Sequence, residues 1–228
     1  MKIKLMDRVL EANEAWAEEN RKLLASSRTR MFNVIGSPGA GKTALLEKTI
    51  ALLAGRPTVG VIEGDVATTL DAERIAKTGA RVVQINTGDG CHLGAYAVHA
   101  ALDEICARRA PGLIFVENVG NLICPAEFDL GEDGKIALLS VAEGDDKVEK
   151  YPLLFSIAGA LVITKLALLP HTNFRIEAAE RAFRRLNADA PVFPLDSLTG
   201  EGFDPWMGFI GRAAGGGARP GPVGGGTA

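Results

Sequence analysis

The run Gly36-Ser37-Pro38-Gly39-Ala40-Gly41-Lys42-Thr43 constrains this chain more than any other segment, because an apolar stretch, 31–35, precedes it and a helix-compatible stretch, 44–53, follows. Strand, glycine-rich turn, then helix is the setting in which Gly-x-x-x-x-Gly-Lys-Ser/Thr works as a phosphate-binding loop. The glycines let successive backbone N–H groups turn inward around phosphate oxygens, Lys42 reaches the outer phosphates, and the Thr43 hydroxyl is placed to ligate magnesium. The helix behind adds the positive end of its dipole to the same anion site. The chain is therefore expected to bind a nucleoside triphosphate.

Short apolar runs then alternate with helical patterns. They predict strands near 32–35, 59–62, 82–85, 113–116, 136–141, 161–163 and 192–194, and helices near 43–53, 68–78, 93–108, 174–187 and 203–212. That rhythm implies an α/β fold, a parallel sheet with helices on both faces and ligands at the carboxyl ends of the strands. Polar and glycine-bearing stretches at 118–134 and 143–150 interrupt it and read as loops of the kind that carry function. The first residues form a charged helical arm, with Leu5, Val9, Ala12, Trp16 and Leu23 turned toward a core or partner and a break near Asn13. The organisation expected is an arm at 1–28, a nucleotide-binding domain at 29–213, and a glycine-rich, disordered tail at 214–228.

With 47% hydrophobic and 23% charged residues in 228, one domain can bury an ordinary core. A formal net charge of -3 supplies no broad cationic field, which argues against nucleic acid as the main partner. No apolar run approaches the ~20 residues of a spanning helix, so no membrane association is expected. Without a cleavable apolar leader, the expected compartment is the reducing cytoplasm, where cysteines serve metal binding or burial rather than disulfides.

Glu63-Gly64-Asp65 falls at the end of the second strand, where Asp65 can approach a nucleotide-bound magnesium ion. Leu113-Ile114-Phe115-Val116-Glu117 has the shape of a second magnesium-side strand. Glu117 would hold metal-bound or attacking water, and Gly120 would answer the γ-phosphate through its backbone. Catalysis is accordingly expected of Lys42, Asp65 and Glu117. Cys91-His92 places a thiolate beside an imidazole, and Cys124-Pro125 offers a second thiolate; such donors suit zinc or nickel. Adjacent donors seldom complete four-coordination alone, whereas a symmetric dimer could bring two sets together. Cys106 reads as a buried packing residue and His99 as a packing or surface histidine.

Together, Gly36 to Thr43, Glu63-Gly64-Asp65, Thr87-Gly88-Asp89-Gly90-Cys91-His92-Leu93 and the stretch from Glu117-Asn118-Val119-Gly120 through Cys124-Pro125-Ala126-Glu127 to Gly131 resemble the HypB family, nickel-incorporation GTPases of nickel-iron hydrogenase maturation. The likeness continues through Glu143-Gly144-Asp145-Asp146-Lys147 and Lys150-Tyr151-Pro152. It implies a P-loop NTPase of the SIMIBI, G-protein-like type that binds GTP or GDP with magnesium. Cys91, His92 and Cys124 then match a nickel or zinc site at a homodimer interface, and Lys42, Thr43 and Asp65 match phosphate and magnesium residues. A nickel-delivery partner protein and the hydrogenase large subunit are implied as partners. The related urease GTPases fit less well, because their metal motif puts a proline between Cys and His.

Two departures stand out. The chain begins with neither the cysteine motif nor the histidine-rich stretch that many family members carry, so nickel storage is not expected. The base-reading motif Asn-Lys-x-Asp appears as Thr164-Lys165-Leu166-Ala167, and the second base loop reads Asp196-Ser197-Leu198 where Ser-Ala-Lys is usual. A missing carboxylate at a site built to pair guanine's N–H donors can erase orders of magnitude of discrimination. Either Asp196 replaces it from across the pocket, or the site accepts ATP as well; Lys165 can stack its stem on any purine.

Overall fold

The computed structural model describes residues 2–65, 69–88 and 90–215. In chain order its elements are α1 (Lys2–Ser27), β1 (Arg30–Ile35), α2 (Lys42–Leu53), β2 (Val59–Asp65), α3 (Leu70–Ala76), β3 (Arg81–Asn86), α4 (Ala95–Cys106), β4 (Leu113–Glu117) and α5 (Cys124–Glu127). There follow β5 (Gly134–Ser140), α6 (Lys147–Lys150), α7 (Pro152–Ile157), β6 (Ala158–Thr164), α8 (Ile176–Leu186), β7 (Val192–Pro194) and α9 (Phe203–Ala214). The seven strands make one sheet in the order β3-β2-β4-β1-β5-β6-β7, and every pairing is parallel. The expected α/β architecture is the observed one.

Strand β1 lies between β4 and β5, so the loops leaving the carboxyl ends of these strands share one edge. Its side chains alternate across the sheet. Phe32 and Val34 join Leu45, Leu46, Phe115 and Trp206 on the α2/α9 face, whereas Met31 packs with Leu24, Ile62 and Leu102 under α1 and α4. A third cluster, including Phe155 and Phe183, lies beneath α7 and α8. The indole N–H of Trp206 donates to Thr49 Oγ1 at 2.9 Å, satisfying the one polar atom of the largest core side chain.

Several expectations are corrected. The arm is one continuous helix, unbroken at Asn13, whose side chain is occupied in long-range hydrogen bonds. Its inner face is set by Ala17, Asn20 and Leu24 with Trp16 and Leu23 packed beside them, while Val9 and Ala12 are exposed and the Leu5 side chain lies outside the described ones. The stretch 143–150 contains a 3-10 turn ending at Glu143 and α6. The stretch 118–134 contains α5, and α7 and a 3-10 segment at Leu166–His171 arise where no helix was expected. These elements are one or two turns long, too short for a 3.6-residue period to show in sequence. Of the tail expected at 214–228, Ala214 completes α9; residues 216–228, like the helix start expected at Thr68, lie outside the described residues. No described helix is long and apolar enough to cross a membrane.

Candidate functional site

The phosphate loop leaves β1 and turns sharply, with Ala40 N donating to Ser37 O at 3.1 Å and left-handed φ angles of 73° at Gly39 and 94° at Gly41. Lys42 folds its buried ammonium over the loop, donating to the carbonyls of Gly36 (3.3 Å) and Ser37 (3.4 Å). Burial lowers its pKa, and the nearby Glu117 charge works the other way. Gly120 meets the loop from above: a Cβ there would stand 2.8 Å from the backbone nitrogen of Pro38, so only glycine permits this approach. A cavity of 510 Å³ opens here, of the size that holds a small organic ligand. Pro38, Gly39, Gly41, Lys42 and Thr43 form one wall; Gly36, Ser37 and Ala40 belong to the same loop but do not line the cavity.

The opposite wall is acidic. Register places Glu63 of β2 directly beside Glu117 of β4, and Asp71 in the first turn of α3 completes a group whose ligand oxygens all lie within 4.8 Å of one another. Glu63 and Glu117 are buried, and each retains one oxygen, Oε2, with no hydrogen-bond partner. Burial, reinforced by the Glu117 and Asp65 charges, raises Glu63 to about 8. Burial raises Glu117 to about 7, against the pull of Lys42 and of the Thr43 hydroxyl, which donates to its Oε1 at 2.7 Å. Two like-charged side chains on adjacent strands with unmatched oxygens fit a hard divalent cation. Asp65 lines the same cavity. Sequence reasoning gave Asp65 and Thr43 the magnesium and missed Glu63 and Asp71. The available signal was the two-residue spacing of Glu63 and Asp65, which puts both on one face of the strand. Asp71 had no signal, since its approach depends on where α3 packs.

The two base loops are tied to the phosphate loop and to each other. Thr164 Oγ1 donates to Ala40 O at 2.7 Å, and Lys165 Nζ donates to Gly39 O at 2.5 Å. Lys165 lines the cavity. Asp196, 2% exposed, accepts from Ala167 N (3.0 Å), Leu198 N (2.9 Å) and Thr199 N (3.0 Å). Burial would raise its pKa, but those backbone donors hold it below the usual range. Both oxygens of Asp196 thus clamp the two base loops to each other. Neither Asp196 nor Ser197 is among the residues that line the cavity.

The soft donors also converge. Cys91 Sγ lies 3.0 Å from Cys124 Sγ and 3.5 Å from His92 Nδ1. His92 packs against the Phe128 ring, centroids 3.9 Å apart, and burial lowers its pKa, favouring the neutral imidazole that a metal binds. Two thiolates sharing a tetrahedral ion at about 2.3 Å stand roughly 3.8 Å apart, so one ion fits after a movement below an ångström. Asn121 Nδ2 donates to Cys91 O at 3.2 Å, fastening one ligand segment to the other. Cys106 packs at the edge of the α4 cluster, and His99 is a packing residue against Trp16.

One residue joins the two sites. Asn118 lines the cavity beside Glu117, and its Oδ1 accepts from Leu93 N, next to His92, at 3.1 Å. Its Nδ2 donates to Asn33 of β1 at 3.2 Å.

Fold and cavity define a P-loop nucleotide-binding protein that carries a thiol/imidazole cluster on the loops beside its phosphate site. Residues 30–194 match the family model described as CobW/HypB/UreG, nucleotide-binding domain. The chain is 47% identical over 207 residues to a hydrogenase maturation factor HypB from Azotobacter vinelandii, covering 91% of this chain and 68% of that protein. Among solved structures, HypB from Archaeoglobus fulgidus superposes with a TM-score of 0.84 at 38% identity, covering 90% of this chain and 100% of that one. HypB from Helicobacter pylori in complex with nickel gives 0.83 at 33%, covering 89% and 95%. The chain belongs to the HypB family of hydrogenase maturation factors.

Proposed function

We propose that this chain is a nucleotide-hydrolysing nickel metallochaperone that acts in the cytoplasm during nickel-iron hydrogenase maturation. GTP binding closes a homodimer around the metal site, and hydrolysis reopens it as nickel passes to a delivery partner and the hydrogenase large subunit. The observation that carries the reading is Asn118, whose one side chain belongs to the wall of the phosphate cavity and fixes the amide next to His92. A change at the γ-phosphate that moves the Glu117–Gly120 segment then moves the Cys91–His92 segment with it.

In this reading Lys42 and the inward N–H groups of Gly39 and Gly41 neutralise the phosphates. Glu63, Asp71 and Glu117, with the Thr43 hydroxyl and Asp65 alongside, would hold magnesium, which supplies further charge neutralisation when bound. Glu117 orients the attacking water. Cys91, His92 and Cys124 take the nickel ion as cargo; the Helicobacter pylori relative's nickel complex supports nickel, and the donor set also suits zinc.

A second reading, favoured by Ala167 and by the engaged Asp196, keeps the mechanism but relaxes base choice to either purine. The test is nickel affinity and assembly state measured with no nucleotide, GDP, a non-hydrolysable GTP analogue and its ATP counterpart. Tighter nickel binding and a dimer with the triphosphates alone support the switch. Identical nickel affinity and assembly in every arm would leave a metal-binding module on a nucleotide-binding scaffold.

A further inference from the structure

Among the described residues, helix α1 lends none to the lining of the phosphate cavity or to the Cys91/His92/Cys124 cluster, yet two of its inward side chains are carboxamides. Asn13 Oδ1 accepts from Ala95 N at 2.8 Å while its Nδ2 donates to Asp129 O at 2.7 Å. Two turns on, fully buried Asn20 donates to Ala95 O at 3.0 Å and to Leu130 O at 2.9 Å, and its Oδ1 meets His99 Nδ1 at 2.8 Å. Ala95 follows His92 by three residues and Asp129 follows Cys124 by five. Both asparagines therefore span the same two strips of backbone, the ones that end in the metal donors. Trp16 lies between them in sequence, its ring 5.0 Å from those of Tyr96 and His99. The Ala17 carbonyl presses where a side chain on Gly131 would stand, and Arg21 pairs with Asp129 at 3.1 Å.

A helix that merely covered a core would place leucine or alanine at such positions. Asparagine is a poor residue in a helix interior, and a buried carboxamide is costly unless its donors and acceptor are met. An amide bridging an N–H on one segment and a C=O on another needs a donor and an acceptor in a single side chain, which asparagine supplies. We infer that α1 is a positioning element of the metal site, with Asn13 as the residue that sets the spacing of the Cys91–His92 segment from the Cys124 segment. Each thiol stands on its own segment, so their separation follows that spacing. Groups that orient metal ligands typically contribute a factor of about 10–100 in affinity.

The inference rests on the reading of Cys91, His92 and Cys124 as the nickel site. The test titrates Ni2+ into the full chain, following the thiolate-to-nickel charge-transfer absorbance, for the native protein, Asn13→Ala, Asn13→Asp, Asn187→Ala and Cys124→Ser. Asn13→Asp is nearly isosteric; it keeps the acceptor for Ala95 N and turns an oxygen toward Asp129 O. Asn187 is the control, because its amide also bridges backbone groups, those of Ser156, Ala158 and Ala190, away from the metal donors. Both Asn13 variants are expected to bind nickel about tenfold more weakly. Nucleotide affinity should stay within about twofold of native, and Asn187→Ala should keep native nickel affinity. Native nickel affinity in either Asn13 variant, or an equal loss in Asn187→Ala, overturns the positioning role while Cys124→Ser still abolishes binding. Nickel binding that survives Cys124→Ser overturns the site itself, and the positioning role with it.

Discussion

On the second reading, in which the native chain accepts either purine, replacing Ala167 with aspartate is expected to confer a guanine preference. Ala167 is exposed on the loop after β6, and its N–H is held by Asp196 at 3.0 Å, so a new carboxylate would project from an anchored backbone. Guanine offers two adjacent N–H donors on its pairing edge, whereas adenine offers one donor beside an acceptor. A hydrogen bond to a charged group contributes about 1.5–3 kcal/mol, and exposure of the site puts each bond at the lower end. The pair then contributes about 3 kcal/mol, or roughly 100-fold. Competitive displacement of a fluorescent nucleotide by GTP, ATP and ITP at fixed magnesium measures it. Native protein should bind GTP and ATP within about tenfold of one another. Ala167→Asp should favour GTP over ATP by roughly 100-fold and over ITP, which lacks one donor, by roughly tenfold. An unchanged GTP/ATP ratio in the variant, or a native ratio already near 100, would show that another group reads the base. Asp196→Ala, which releases both loops, should weaken GTP and ATP alike.

The acidic wall makes stability depend on pH. Glu63 at about 8 and Glu117 at about 7 lie above the ordinary 4.5, so the folded chain holds these protons more tightly than the unfolded one. Their contribution is complete below the unfolded value and is lost as pH rises through 7 and 8. The melting temperature of nucleotide-free protein should fall between pH 5 and pH 8, and Glu63→Gln or saturating magnesium should flatten that slope; a melting temperature that rises over the interval refutes it. Glu117→Gln should retain triphosphate binding while turnover drops about 100-fold, read as phosphate release; undiminished turnover removes Glu117 from the mechanism. Thr49→Val strands the Trp206 N–H in the core and should cost about 1–3 kcal/mol in urea unfolding. A cost below about 0.5 kcal/mol would mean the indole finds another partner.

Much of this was legible in the sequence where chemistry is local. The phosphate loop and the seven strand positions follow from residue type and order, whereas the meeting of Cys91 and His92 with Cys124 was implied only by the family resemblance. What was not legible depends on packing between distant segments. Asp71 joins Glu63 and Glu117 only because α3 packs against α2, β2 and β3, which brings its first turn to that wall. Asp196 faces inward because Ala167, Leu198 and Thr199 present N–H groups to it. The face of α1 was only partly read because apolar residues were taken as its marks: Trp16 and Leu23 do pack inward, but Asn13 and Asn20 form much of its contact. A buried amide looks in sequence like a solvated one.

The short passage from Glu117 to Cys124 serves two masters. One end answers to phosphate through Glu117 and Gly120, the other carries a thiol, and Asn118 stitches it to the neighbouring imidazole's backbone. Its length is consequently not free to drift: a single inserted residue would throw both chemistries out of alignment at once. Under the proposed function, cargo choice and hydrolysis would therefore vary by exchange of side chains rather than by growth or shrinkage of the loop.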